Sequence, residues 1–179
     1  MQINEKGCYF LYFLVECIHV AVIGECGCHN AKVLEDIDMY VYTTDQIRNV
    51  VVLGHGGCGK TSLVEAMAHV SGLTSRIGKV SDGNTLSDYD KEEIKRKFSI
   101  STSVVPIVWK DVKINFLDTP GYFDFVGEVE EAVAAADAAI IVVSGKSGVE
   151  VGTQKAWDLC EKYNLPRMFF ISEMDVDNA

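Results

Sequence analysis

The sequence predicts an α/β domain with a mostly parallel sheet and helices on both faces, on three observations. β-branched runs alternate with helical stretches through residues 39–179, the pattern of strand–helix–strand units. A glycine-rich segment separates the first such run from the first helix. The composition, 48% hydrophobic and 23% charged over 179 residues, is that of one soluble domain and excludes a disordered, collagen-like or coiled-coil chain. A chain of this length buries roughly 70% of its unfolded surface, enough for one core.

The elements follow in order. Val50–Leu53 is a short β-branched strand that breaks into glycines, as a buried parallel strand does. Thr61–Val70 is helical in composition and stops at Ser71-Gly72. A polar stretch runs from Leu73 to about Ser103. Within it, Lys91–Lys97 reads as a solvated helical face with Glu92/Arg96 and Glu93/Lys97 pairs. Val104–Trp109 and Val112–Leu117 form a hairpin about Lys110-Asp111, and Pro106 puts the first of these strands on a sheet edge. Phe125–Ala136 is a helix, Ala138–Ser144 a buried strand, Thr153–Tyr163 a helix ended by Asn164-Leu165-Pro166, and Met168–Ser172 a last strand.

Residues 1–38 differ in composition. Four of the six cysteines (Cys8, Cys17, Cys26, Cys28) lie there, and six are too sparse for a disulfide scaffold. The apolar run Cys8–Gly24 is interrupted by Glu16 and His19. It is short for a membrane span, and a central carboxylate costs about 2.5–3.5 kcal/mol on insertion scales. The start MQINEK has no net positive charge, unlike a secretory signal. Cys26-Gly27-Cys28-His29 lacks the ligand set of a structural zinc site. The expectation is a non-native or disordered extension at 1–38, with the functional chain starting at Met39. With 26 acidic and 16 basic residues, net −10, the charge balance argues against free DNA binding and against a membrane surface. A cytoplasmic monomer is expected.

Gly54-His55-Gly56-Gly57-Cys58-Gly59-Lys60-Thr61 fits G-x-x-x-x-G-K-[ST] between a strand and a helix. Glycines let backbone N–H groups curl around phosphates, and the helix N-terminus adds its positive dipole. Lys60 reaches the terminal phosphates, the Thr61 hydroxyl suits Mg²⁺, and Ser62 completes the run. Asp118-Thr119-Pro120-Gly121 follows the strand ending at Leu117. A carboxylate there holds Mg²⁺ through water, and the Gly121 N–H senses a γ-phosphate. Ser99 and Ser101 lie in the polar stretch between the motifs, where either a Mg²⁺-binding hydroxyl or a plain surface serine fits. Ser172-Glu173-Met174-Asp175 is a degraded N-K-x-D, with Asp175 able to accept from both guanine N–H donors. A simple strand-end loop also accounts for it. His55, Cys58 and His69 read as packing or loop residues, and Trp109 and Trp157 as core.

These stretches carry a resemblance. GHGGCGKTSLVEAM (54–67), SDYDKEEIKRKFSIS (87–101), INFLDTPGYFDFVGEVEEAV (114–133), DAAIIVVSGKSGVE (137–150) and RMFFISEMD (167–175) occur in the order and spacing of elongation factor G and its translational GTPase relatives. The chain resembles the N-terminal part of that GTPase domain over 45–179. The resemblance implies a P-loop NTPase three-layer sandwich, incomplete at its C-terminus, that binds GTP or GDP with Mg²⁺ and hydrolyses GTP on the ribosome. It implies that residues 54–62 hold the phosphates, that Ser99 takes the switch Thr position on Mg²⁺ beside Thr61 and Asp118, and that Ser172, Glu173 and Asp175 face the base. It puts Lys60, Gly121 and Tyr122 at the chemical step.

Three departures stand out. Tyr122 occupies the position of the family's usual His after D-T-P-G. Ser172 and Glu173 replace Asn and Lys of the base motif. The chain stops at Ala179, before the family's last base-contacting loop and later domains. A slow GTPase is the leading expectation. A non-hydrolysing nucleotide module, an ATPase on the same loop, and a ribosomal-protection or release-factor relative are the alternatives.

Overall fold

The computed structural model describes residues 41–175, so the expectations for residues 1–38, the Cys/His cluster and the Met39 start lie outside the described residues. A five-stranded sheet of order β2-β3-β1-β4-β5 forms the middle layer. Its strands are β1 (Ile47–Gly54), β2 (Ser103–Trp109), β3 (Val112–Asp118), β4 (Ala138–Ser144) and β5 (Arg167–Ser172). All neighbours are parallel except β2 against β3. The helices are α1 (Lys60–Val70), α2 (Lys91–Arg96), α3 (Val126–Ala135) and α4 (Val151–Lys162).

Alternation along β1 explains the layers. Val50 and Val52 point to one face, with Leu63, Val64 and Met67 of α1 and Ile114, Phe116, Ile140 and Val142 of the sheet. Val51 and Leu53 point to the other, with Val133 of α3 and Ala156 and Cys160 of α4. Both faces of β1 and β4 are therefore dry, which is why these strands read as unbroken apolar runs. Each fully buried Val, Leu or Ile contributes about 1.5–3 kcal/mol of transfer free energy.

The hairpin forms as expected. Trp109 pairs with Val112, and Lys110 and Asp111 both have positive φ, 47° and 64°, as a two-residue loop matching strand twist requires. β2 is an outer strand that exposes alternate residues, Val104, Pro106 and Val108, so Pro106 removes no ladder bond from the sheet interior.

Three expectations need correction. The α2 segment is not a solvated face with paired charges throughout. Arg96 Nε lies 3.2 Å from Glu92, but Glu93 is buried and accepts from the backbone N–H of Ile100 (2.8 Å) and Ser101 (3.1 Å). Lys97 is left-handed (φ 61°) past the helix end, so it makes no i,i+4 pair. Local capping won over charge periodicity. The helix expected at Phe125–Ala136 is also shorter at its start, where a 3-10 turn at Phe123–Phe125 leads into α3. Trp157 is not core: its indole stacks on Phe169 at 5.8 Å near the surface and is 36% exposed.

Candidate nucleotide-binding site

The carboxyl ends of β1, β3, β4 and β5 converge on the glycine loop, the position where open α/β sheets hold ligands. Gly54 has φ 143°, and a methyl there would stand 2.4 Å from the Val142 carbonyl oxygen. Only glycine lets β1 turn into the loop beside β4. Gly59 (φ 93°) precedes the first turn of α1, so the unpaired N–H groups of that turn face the loop. Lys60 is 7% exposed, and its Nζ donates to the carbonyl oxygens of His55 (2.8 Å) and Gly54 (3.2 Å).

His55 and Cys58 are packing residues of this loop. The His55 ring meets the edge of Phe123 at 5.9 Å and its Nε2 lies 3.7 Å from Glu150. Cys58 is buried, and burial pushes its thiol up despite the nearby Lys60, so it is not a nucleophile at neutral pH. His69 at the end of α1 bonds the Thr74 carbonyl at 3.0 Å. Gly57 faces open space and Ser62 is exposed on α1.

The Asp118 turn closes over the loop. Thr119 Oγ1 donates to the Val52 carbonyl at 2.6 Å, pinning the turn to β1. Asp118 is 1% exposed, and neither carboxylate oxygen has a hydrogen-bond partner. Burial raises its pKa to about 6, opposed by the nearby hydroxyls of Ser87 and Thr61 and by Lys60. A buried carboxylate without partners is costly unless a cation or proton compensates it. Ser99 Oγ lies 3.4 Å from Thr61 Oγ1, so the loop brings the expected hydroxyls together across 38 residues. Ser101 is exposed, and its backbone N–H donates to Glu93 at 3.1 Å.

Asp88 escaped the sequence reading. It is 3% exposed, Oδ1 accepts from Ser99 Oγ at 2.7 Å, and Oδ2 has no partner. Burial raises its pKa, opposed by the Ser99 bond. No local pattern marks it, because it reaches the site only once the polar stretch folds over α1. Orphaned carboxylate oxygens beside two hydroxyls are a hard-oxygen donor set suited to Mg²⁺.

At the carboxyl end of β5, Ser172 Oγ donates to the Cys58 carbonyl at 2.7 Å, with the Val143 carbonyl also at 3.3 Å. A hydroxyl thus ties the phosphate loop to the sheet where the family motif has an amide. Glu173 is left-handed (φ 56°), and its carboxylate accepts from Ser144 Oγ. Asp175 lies exposed in the following turn.

The family description "Elongation factor Tu GTP binding domain" matches residues 45–179. Among curated relatives, a mitochondrial ribosome-releasing factor 2 from Anopheles gambiae is 40% identical over 134 residues, covering 75% of this chain and 18% of that protein. Its Drosophila sechellia counterpart is 40% identical over 136 residues, 76% of this chain and 20% of the relative. A crystal structure from Thermus thermophilus superposes with TM-score 0.68 at 43% identity, over 70% of this chain and 19% of that one. A bacterial selenocysteine-specific elongation factor shares the fold, with TM-score 0.59 at 23% identity over 73% of this chain and 20% of that one. The chain therefore spans about a fifth of the length of the proteins it matches. A match running the length of the sheet domain, over a loop and turn built as that family's motifs require, makes this chain a member of the elongation factor Tu GTP-binding domain family of translational GTPases.

Proposed function

We propose that residues 39–179 are part of the GTP-binding, GTP-hydrolysing domain of an elongation factor G-like protein that acts with the ribosome. The observation that carries the reading is the meeting of Lys60, Thr61, Ser99 and the buried, unpartnered Asp118 at the glycine loop. The loop N–H groups and Lys60 bind the phosphates. Lys60 leaves its two loop carbonyls and turns to the terminal phosphate oxygens, where its charge favours the developing negative charge. Thr61, Ser99 and Asp118 would hold Mg²⁺, which when bound would neutralise phosphate charge. Asp175 accepts from guanine, and Ser172 keeps the loop in register with the base side. Glu173 is drawn to Ser144, so it supplies no stem to cover the ring.

The Gly121 N–H faces the γ-phosphate side, and Tyr122 positions the attacking water. A phenol hydroxyl orients a water by hydrogen bonding and lacks the basic ring nitrogen of an imidazole. Hydrolysis is therefore slow, resting on positioning and electrostatics. A non-hydrolysing guanine-nucleotide module is the second reading, favoured by the same Tyr122. Action as a cytoplasmic monomer belongs to the proposal, with mitochondrial translation, named for the insect relatives, as the competing setting. Among the described residues no helix is long and apolar enough to cross a membrane.

The test is single-turnover GTP hydrolysis by the full-length protein, with and without ribosomes. Tyr122→His is expected to raise the rate about tenfold or more, within the range of a positioned acid–base group. No hydrolysis by either form, even with ribosomes, favours the non-hydrolysing module.

A further inference from the structure

Resting on the guanine-nucleotide reading, we propose that Glu173 is a positioning residue for base recognition that acts through Ser144. The bond between them holds the 173–175 turn so that Asp175 meets the base. β4 ends at Ser144, which is 3% exposed. Its Oγ accepts from the backbone N–H of Ser147 at 3.2 Å and donates its one proton to the Glu173 carboxylate. Glu173 is exposed just past the end of β5, and its backbone is left-handed, φ 56°. That conformation is disfavoured for a residue with a Cβ and persists where surrounding contacts hold it. An exposed glutamate past a strand end ordinarily extends into water. Here it turns back onto a buried hydroxyl, and the chain leaves it as a turn at Met174 and Asp175.

The same junction is fixed to the phosphate loop. The Gly145 N–H donates to the Ser172 carbonyl at 2.8 Å, and Ser172 Oγ donates to the Cys58 carbonyl. A methyl on Gly59 would lie 3.6 Å from Ser172 Cβ, so the loop passes directly over this serine. Up to residue 172, β5 is therefore set against both β4 and the loop. The tie beyond residue 172 is the Glu173–Ser144 bond, two residues before Asp175. The lysine that the family motif places at this position carries donors only and cannot accept the Ser144 proton. By the motif alone, a lysine at 173 would improve guanine binding. By the bond to Ser144, it removes the hold on the turn.

The experiment is fluorescence titration of the 179-residue chain with N-methylanthraniloyl-labelled GDP and ADP in Mg²⁺. It compares wild type with Ser144→Ala, Glu173→Ala, the double variant, Glu173→Gln and Glu173→Lys. Each alanine should cut the GDP-to-ADP affinity ratio by about threefold, within the worth of one hydrogen bond. ADP affinity should stay unchanged, because the phosphate contacts are untouched. The double variant should lose no more than either single, as one shared contact requires. Glu173→Gln keeps an oxygen that accepts from Ser144 and should hold the wild-type ratio, whereas Glu173→Lys should fall with the alanines. If Ser144→Ala fails to fold, the variants at the exposed Glu173 decide alone. The positioning role is overturned by a ratio unmoved in Glu173→Ala, raised in Glu173→Lys, or as low in Glu173→Gln as in Glu173→Ala. Additive losses in the double variant overturn it too, as does a parallel loss of both nucleotides, the mark of a purely structural contact. In each of these outcomes a wild type that prefers GDP leaves the guanine reading standing. Equal wild-type affinities overturn that reading, and the positioning role with it.

Discussion

Asp118 shows how one residue couples binding to stability. Its folded pKa of about 6 stands above the ordinary 3.8 because it is buried. The folded state therefore holds its proton more tightly than the unfolded chain, so this contribution to stability is full below pH 3.8 and is lost as pH rises through about 6. At neutral pH the buried charge costs on the order of 3 kcal/mol. Asp118→Asn should raise the melting temperature of the nucleotide-free, Mg²⁺-free chain by about 5 °C at about pH 7.5, while abolishing Mg²⁺ enhancement of GDP binding. A gain about half as large at about pH 5, shrinking towards nothing below pH 3.8 where both states hold the proton, is part of the prediction, and equal gains across this range refute it. Lys60, Thr61 and Asp118 are legible in the sequence because each sits at a fixed offset from a strand end. Ser99 is legible only as one of two serines. Asp88 is not, since its role arises from a loop folding back on residues far away in the chain. Glu93 misleads because a charge at helical spacing gives no sign that it caps a loop.

At the scale of elements, the polar stretch from 73 to 103 is organised by carboxylates rather than by apolar periodicity. Glu65 of α1 is 1% exposed and accepts from the backbone N–H of Gly78 (2.9 Å) and of Leu86. A methyl on Gly78 would stand 2.5 Å from the Glu65 carboxylate, so only glycine permits this approach. Orphaning a buried N–H costs about 1–3 kcal/mol. Glu65→Gln should lower the melting temperature by about 5 °C and speed tryptic cleavage at Arg76 and Lys79. A loop cleaved at the wild-type rate would show that it is held by other contacts. Strands and helices of this chain are readable to within a few residues, because their apolar runs match their periods. The loop reads only as polar, because nothing local reveals a long-range backbone–carboxylate bond.

For the whole molecule, the two sheet edges differ. β2 is blunted by Pro106 and has a solvated face, whereas β5 presents Phe169 (51% exposed) and Ile171 (53%) on the opposite outer strand. Apolar side chains exposed on an outer strand favour intermolecular association. Ile171→Lys should delay the onset of light scattering on heating by several degrees, and an unchanged onset would place the aggregating surface elsewhere. The alternation of elements is foreseeable from the order of apolar runs; the exposure of Phe169 and Ile171 is not.

The central claim is that this sheet, loop and Asp turn form a guanine-nucleotide site. Titrating the chain with labelled GDP and ADP in Mg²⁺ tests it most directly. Phosphate contacts are common to both ligands, so the difference isolates the base. Asp175 accepts from donors that adenine lacks, but it is exposed, and Glu173 is engaged with Ser144. The account predicts GDP binding tighter by about five- to tenfold, roughly the worth of one ordinary hydrogen bond at an exposed carboxylate. Equal affinities for GDP and ADP would contradict it.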